Sequence, residues 1–352
     1  TMANPFANFA TPTTVGNSTP VHKFPLPPEG RQFRPTYVRG KYSLPSPEPE
    51  SGKVKDTFTR VTTGAHALDE TTGLDRWKMR NVVLGIHQQP NLLDKIDLFA
   101  EPYEVTRTLN DVASKASDAA GASEAAERGT AIHAWTEAVE RDGMDVNDVP
   151  REFKPFVTSY LEALERAGVE TVPGLVERIV WHKGTGWVGT FDRVYRLADG
   201  TQVIGDVKTS KDLKYDYLGF SMQLAVYADA DAMLKVDGSG WEDMPAVGNV
   251  YGVIAHLPSN NPGHCELVTL DLERGRYAIE LAERVRHARA TAGVNIPNVH
   301  PLPEVDLATL VDKATSAGDL ANLYERFSTR WTPELTERGM RRIESLNTAN
   351  TR

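Results

Sequence analysis

The chain has 352 residues, 40% hydrophobic and 25% charged, an ordinary globular composition with enough apolar mass for one large domain with extensions or two modest domains. Its net charge of −9 and pI of about 5.6 exclude a surface that coats nucleic acid wholesale, but not a local phosphate-binding patch. One cysteine, Cys265, excludes a disulfide within this sequence and any cysteine-built zinc or iron–sulfur site, and no apolar run approaches the roughly 20 residues that span a bilayer. The first residues hold no basic stretch leading into an apolar one, so no secretory signal is expected, and a cytoplasmic, membrane-free location is.

Residues 1–55 are rich in Pro, Thr, Ser and Gly, as in Pro25-Leu26-Pro27-Pro28, and read as an extended or disordered arm with a short strand at 36–43 that could dock on the domain or on a partner. Helices are expected over 65–68, 74–86, 90–99, 104–119, 122–141 and 151–167. In the fifth of these, Ile132, Trp135 and Val139 recur at spacings of three and four and form one apolar stripe. The period then changes to two. Strands are expected at 175–182, 187–197 and 201–208, with Ala198-Asp199-Gly200 as the turn between the last two. A helix over 216–235, strands at 247–256 and 265–271, and a helix over 273–291 follow. This order predicts an α/β fold: a mixed central sheet flanked by helices, with an N-terminal helical elaboration. The domain spans 56–296, and after Pro301 and Pro303 a helical hairpin (305–316 and 318–329) and a last helix (333–347) make a C-terminal extension over 303–352.

The chemistry begins at Thr201 to Lys208. On a strand, Asp206 and Lys208 share a face while Val207 points the other way. A carboxylate there can hold Mg²⁺ or Mn²⁺, and the lysine can orient a water or offset developing phosphorane charge; the plain alternative is a surface ion pair. Pairing through the Asp199-Gly200 turn brings Asp192 near Asp206, and two neighbouring carboxylates are costly unless a cation lies between them or both face water. Phe191 and Val207 are expected together on the opposite, packed face, and Gly189 and Gly205 are expected to leave room for a phosphate-bearing ligand. On the helix over 122–141, Gly129, His133 and Glu137 share one face, so His133 is either a nitrogen ligand or a partly buried polar residue. Gln223 and Tyr227, one turn apart, either contact phosphate and bases or serve as a solvent-facing Gln and a packed Tyr.

In their order, Arg128-Gly129-Thr130-Ala131-Ile132-His133, Gly189-Thr190-Phe191-Asp192, Asp206-Val207-Lys208-Thr209 and Gln223-Leu224-Ala225-Val226-Tyr227 resemble the motifs of the PD-(D/E)XK nuclease superfamily, in its RecB-like and Cas4-like exonuclease branch. The resemblance covers a motif core of about 122–230, and the layout with its helical tail is also similar to nucleases encoded by phages of actinobacteria. It implies a restriction-endonuclease-like fold, with His133, Asp192, Asp206 and the Val207 carbonyl as ligands of Mg²⁺ or Mn²⁺. Lys208 is then the catalytic lysine beside Asp192 and Asp206, and Gln223 and Tyr227 contact DNA or support the site. Glu177 is a further acidic contributor or a solvent-facing strand residue. Many Cas4-like enzymes carry four cysteines for an iron–sulfur cluster; with Cys265 alone, no such cluster is expected.

The implied activity is a metal-dependent deoxyribonuclease, an exonuclease acting on single strands or ends in replication, recombination or repair, in the bacterial host cytoplasm if phage-encoded. The alternatives are a non-catalytic or structural DNA-binding module on the nuclease fold and an endonuclease on branched or specific DNA. The arm and tail are candidate surfaces for replication or recombination proteins. Three basic groups could line a DNA path: Arg76/Lys78/Arg80, Lys208/Lys211/Lys214 and Arg338/Arg341/Arg342. Trp77 and Trp331 could stack on bases or pack in a core.

Overall fold

The structure is a computed structural model that describes residues 23–28, 33, 35–38, 41–48, 53–214, 216–292 and 302–349. Two compact units divide the chain at Ala290/Thr291.

The first unit opens with β1 (Thr36–Val38), β2 (Lys41–Pro45) and β3 (Lys55–Arg60), then the short helix α1 (Val61–Ala65). The helices α2 (Thr72–Gln88), α3 (Pro102–Ala119), α4 (Glu124–Asp142) and α5 (Lys154–Ala167) follow. The sheet resumes as β4 (Glu170–His182), β5 (Trp187–Arg196) and β6 (Gln202–Lys208). Then come α6 (Tyr217–Ala228), β7 (Ala232–Leu234), β8 (Trp241–Asp243), β9 (Tyr251–His256), β10 (Glu266–Asp271) and α7 (Leu272–Ala292).

This unit is mixed α/β: ten strands in one sheet, largely antiparallel, with helices on both faces. Alternation along β6 and β9 sends Ile204 and Ile254 to the side of α1, α6 and α7, where Val61, Met222, Leu224 and Ile279 pack. Val203, Val207, Val253 and Ala255 go to the side of α4 and α5, against Ile132, Trp135, Phe153 and Tyr160. Packing of this kind at about 25 cal/mol per Å² of apolar surface is what orders the sheet. The predicted turn is present: Gly200 has φ 87°, which a Cβ would resist, and Thr201 N–H donates to Asp199 Oδ1 at 2.8 Å.

Several expectations need correction. Part of the arm is built into the domain. β1 and β2 form an antiparallel hairpin, β2 pairs with β3, and β3 joins β5 in parallel. Phe24 packs edge-on against Phe153, the residue before α5, at 5.9 Å, and Trp135 Nε1–H donates to the Pro25 carbonyl at 3.0 Å. The rest of the arm, including 1–22, lies outside the described residues. The helix expected over 90–99 is a 3-10 segment, Pro90–Lys95. The one expected over 216–235 stops at Ala228, because Asp231 N–H bonds to the Trp181 carbonyl (2.9 Å) and starts β7 beside β4. The short strand β8 has too few residues to show a period.

The hairpin of α2 and α3 has its own small core of Leu92, Val112 and Ala116. The second unit holds α8 (Leu307–Lys313), α9 (Ala317–Arg326) and α10 (Pro333–Ala349), packed on Val311, Ala314 and Leu320. Trp331 joins that core, edge-on to Tyr324, so it is a packing residue. No helix among the described residues is long and apolar enough to cross a membrane.

Candidate active site

The candidate residues meet where β5 has a free edge. β4 runs along one edge of β5. On the other edge β3 pairs with Trp187 and Val188, and β6 with Arg193 to Arg196. Between them, Gly189-Thr190-Phe191-Asp192 has no ladder partner on that side among the described residues. Asp192 fills the gap with its side chain: Val207 N–H donates to Asp192 Oδ2 at 2.8 Å. The β5/β6 ladder ends at Arg193↔Gly205, and from Gly205 onward β6 pairs with β9. A carboxylate therefore takes a main-chain donor where the two strands part.

α4 brings His133 to the same oxygen, with Nδ1 3.4 Å from Asp192 Oδ2. The helix approaches closely because position 129 is glycine; a Cβ there would stand 2.5 Å from Thr209 Oγ1, one residue past Lys208. Asp206 and Lys208 share a strand face as the period required, and Lys208 Nζ is 2.5 Å from Asp206 Oδ2. That oxygen is buried and has no partner of hydrogen-bond geometry, so the contact is an ion pair by distance rather than a directed bond. The Lys208 ammonium also lies 4.9 Å from the centre of the Phe220 ring on α6.

Glu177 on β4 joins this group. Its φ of 56° is unusual for a residue with a Cβ, and it follows the irregular stretch of β4 between Thr171 and Val176. The side chains of His133, Glu177 and Lys208 are 26%, 23% and 21% exposed, so solvent reaches each of them. Tyr227 is buried, with its ring against Gly189; Gln223, one turn earlier on α6, is half-buried.

Electrostatics follow from this crowding. Burial, then the charge of Asp192, push the Asp206 carboxyl up to about 7, against the pull of Lys208. Asp192 also suffers from burial, yet His133, Lys208, Arg193 and the Val207 N–H hold it below the usual carboxylate range. Burial takes His133 down to about 4, with Lys208 and Arg193 adding to the effect and Asp192 opposing it. Glu177 rises well above its ordinary range through burial and the charges of Asp192 and Glu137, and Glu137 rises too, chiefly through burial. Lys208 is raised: burial opposes its charge, but Asp206 and Asp192 outweigh it.

Two expectations fail here. Phe191 and Val207 do not share a face: Phe191 packs with α6 and Val207 with α4 and α5. Gly189 and Gly205 do not open space for a ligand, since a Cβ at 189 would meet Tyr227 at 2.7 Å and one at 205 would overlap the Tyr195 ring. The arginines of the Arg338 group stay at the surface, and each has a partner within its own unit. Arg338 pairs with Asp312 (2.5 Å), Arg341 with Glu337 (3.7 Å), and Arg342 donates to the Ala314 carbonyl (2.9 Å).

Sequence reasoning missed Arg193, Thr136 and Tyr195. Glu137 was visible as the helical partner of His133. Arg193 was hidden because strict alternation sends it away from Asp192, whereas both residues reach α4. Among the described residues no group of three or more His, Cys, Asp or Glu stands ready as a cation cage. Lys208 and the Val207 N–H already take oxygens of the two aspartates. No family model matches this chain, and no curated protein matches it.

Proposed function

We propose that this protein is a divalent-metal-dependent DNA nuclease, an exonuclease of the PD-(D/E)XK type with a restriction-endonuclease-like core. The observation that carries the reading is the clustering of His133, Asp192, Asp206 and Lys208, with His133 and Lys208 partly exposed, at the free edge of β5. Four separate chain segments supply the cluster, counting Glu177.

The donor set fits Mg²⁺ or Mn²⁺. Two carboxylates and the Val207 carbonyl are hard oxygen ligands, the imidazole is a borderline nitrogen donor that Mn²⁺ accepts more readily than Mg²⁺ does, and a buried carboxylate oxygen without a well-directed partner favours a cation. Asp192, Asp206, His133 and Val207 would hold the metal. The metal would supply Lewis acidity toward phosphate and lower the pKa of water. Lys208, kept charged between Asp206 and Phe220, orients the attacking water or offsets charge gathering on the phosphate. His133 stays neutral near pH 7 because of burial, which leaves its nitrogen available as a donor. Exposed Arg76 and Arg80 on α2, and Lys211 after β6, are the basic residues that phosphate contact requires.

The test is a panel of end-labelled single-stranded, double-stranded and circular DNA, with and without Mn²⁺. Cleavage is expected only with the cation and is expected to vanish in Asp206→Ala and Lys208→Ala. Activity surviving both substitutions sinks the assignment. Calorimetric metal binding without cleavage of any DNA form favours a structural DNA-binding module, and products from circular DNA favour an endonuclease.

A further inference from the structure

Arg193 is fully buried, and a buried guanidinium is costly unless its donors are met. Nε donates to Glu140 Oε2 at 2.5 Å, Nη2 to Thr136 Oγ1 at 2.9 Å and Nη1 to the Asp192 carbonyl at 3.1 Å. Nη1 also stands 3.9 Å from Glu177 Oε1. Behind it, Glu140 Oε1 accepts the Tyr160 hydroxyl at 2.9 Å and the Thr171 hydroxyl, and the Tyr160 and Tyr195 hydroxyls meet at 2.9 Å.

We propose that Arg193 is a positioning residue for the cation site: it ties the Asp192 main chain, the α4 helix that carries His133, and the Glu177 side chain into one fixed arrangement. The proposal rests on the metal-nuclease reading above. Three observations carry it. Asp192 and Arg193 are consecutive, yet both reach α4, so the strand departs from alternation where the guanidinium docks. Thr136 lies one helical turn from His133, so the Nη2 bond to Thr136 fixes the height at which the imidazole meets Asp192. Nη1 alone reaches both the Asp192 carbonyl (3.1 Å) and Glu177 Oε1 (3.9 Å), so one group spans the β5 main chain and the β4 carboxylate.

Pure stabilisation is the weaker account. Buried ionic networks are poor contributors to stability compared with apolar packing, and their attested benefit is a defined geometry. This network also touches the main chain of a candidate ligand directly instead of remaining within the core.

The test uses the full chain. Mn²⁺ binding is measured by calorimetry and by electron paramagnetic resonance without DNA, beside melting temperature and cleavage at saturating Mn²⁺. Arg193→Met is expected to weaken Mn²⁺ roughly 10- to 100-fold, the usual cost of removing a group that orients metal ligands. Arg193→Lys, which keeps the charge but loses the fork, is expected to recover part of the affinity. Should Arg193→Met fail to fold, Thr136→Val cuts the Nη2 link and, with it, the hydroxyl's own bond to the His133 carbonyl; a weaker Mn²⁺ signal with melting close to that of the parent, restored in Thr136→Ser, supports the proposal. Parent-like Mn²⁺ affinity in a folded Arg193→Met, or in Thr136→Val, overturns it while leaving the nuclease reading intact. A parent protein that binds no Mn²⁺ overturns both.

Discussion

The Val207 amide donates to Asp192 Oδ2 at 2.8 Å, one step past the last main-chain pair between β5 and β6. A side chain does the work of a strand there, and the same oxygen lies 3.4 Å from His133 Nδ1.

Asp192 is therefore both a structural acceptor and a candidate ligand, and the two roles separate by substitution. Asp192→Asn keeps an acceptor for the Val207 amide and is expected to fold normally while losing Mn²⁺ binding and cleavage. Asp192→Ala leaves a buried N–H unpaired and should cost a further ~1–3 kcal/mol. Denaturant unfolding of the two variants checks this; equal stabilities refute the structural half.

The raised Asp206 carboxyl predicts a pH dependence. In the folded state it titrates near about 7, against an ordinary 3.8 in the unfolded chain. Between those values the folded protein holds the extra proton, so the contribution of Asp206 to stability is full at low pH and is lost as pH rises through the folded value. Without divalent ions, Asp206→Asn should gain on the parent from about pH 4 to pH 7 and keep a constant lead above that. Urea midpoints across this range that run parallel for the two proteins contradict the prediction.

Gly189 and Gly205 are packing positions. Gly205→Ala drives a methyl into the Tyr195 ring, and Gly189→Ala meets Tyr227 and Val61. Each should lower stability by about 1–3 kcal/mol through overpacking. Thermal melts report this directly, and a melting point like that of the parent for Gly205→Ala would argue against the described packing.

The second unit has a core of its own around Val311 and Leu320. A chain ending at Ala292 should keep the near-ultraviolet circular dichroism and cooperative unfolding of the first unit. Loss of the cooperative transition would show that the first unit depends on the tail.

Much of the site was legible because its rules are local. A period of two puts Asp206 and Lys208 on one face, and a period near four puts His133 beside Gly129 and Glu137, whatever surrounds them. The Asp199-Gly200 turn needs a positive φ that glycine supplies, so the β5/β6 hairpin could be read directly. The type and place of β4 to β6, α4, α5 and α7 follow from the same periodicities.

What tertiary structure decided lies beyond such rules. The free edge of β5 exists because β3 pairs with one end while the local hairpin partner β6 pairs with the other; the β3 contact joins segments more than 100 residues apart, Thr59 with Trp187. The break in alternation at Asp192 and Arg193 depends on what α4 offers as partners, Thr136 and Glu140 for the guanidinium and His133 for the carboxylate. Glycine in a strand signals a close approach but not what approaches, and only packing showed that Tyr227 and Tyr195 fill those positions. Composition and spacing determined which residues could do chemistry; long-range pairing and burial decided which of them meet.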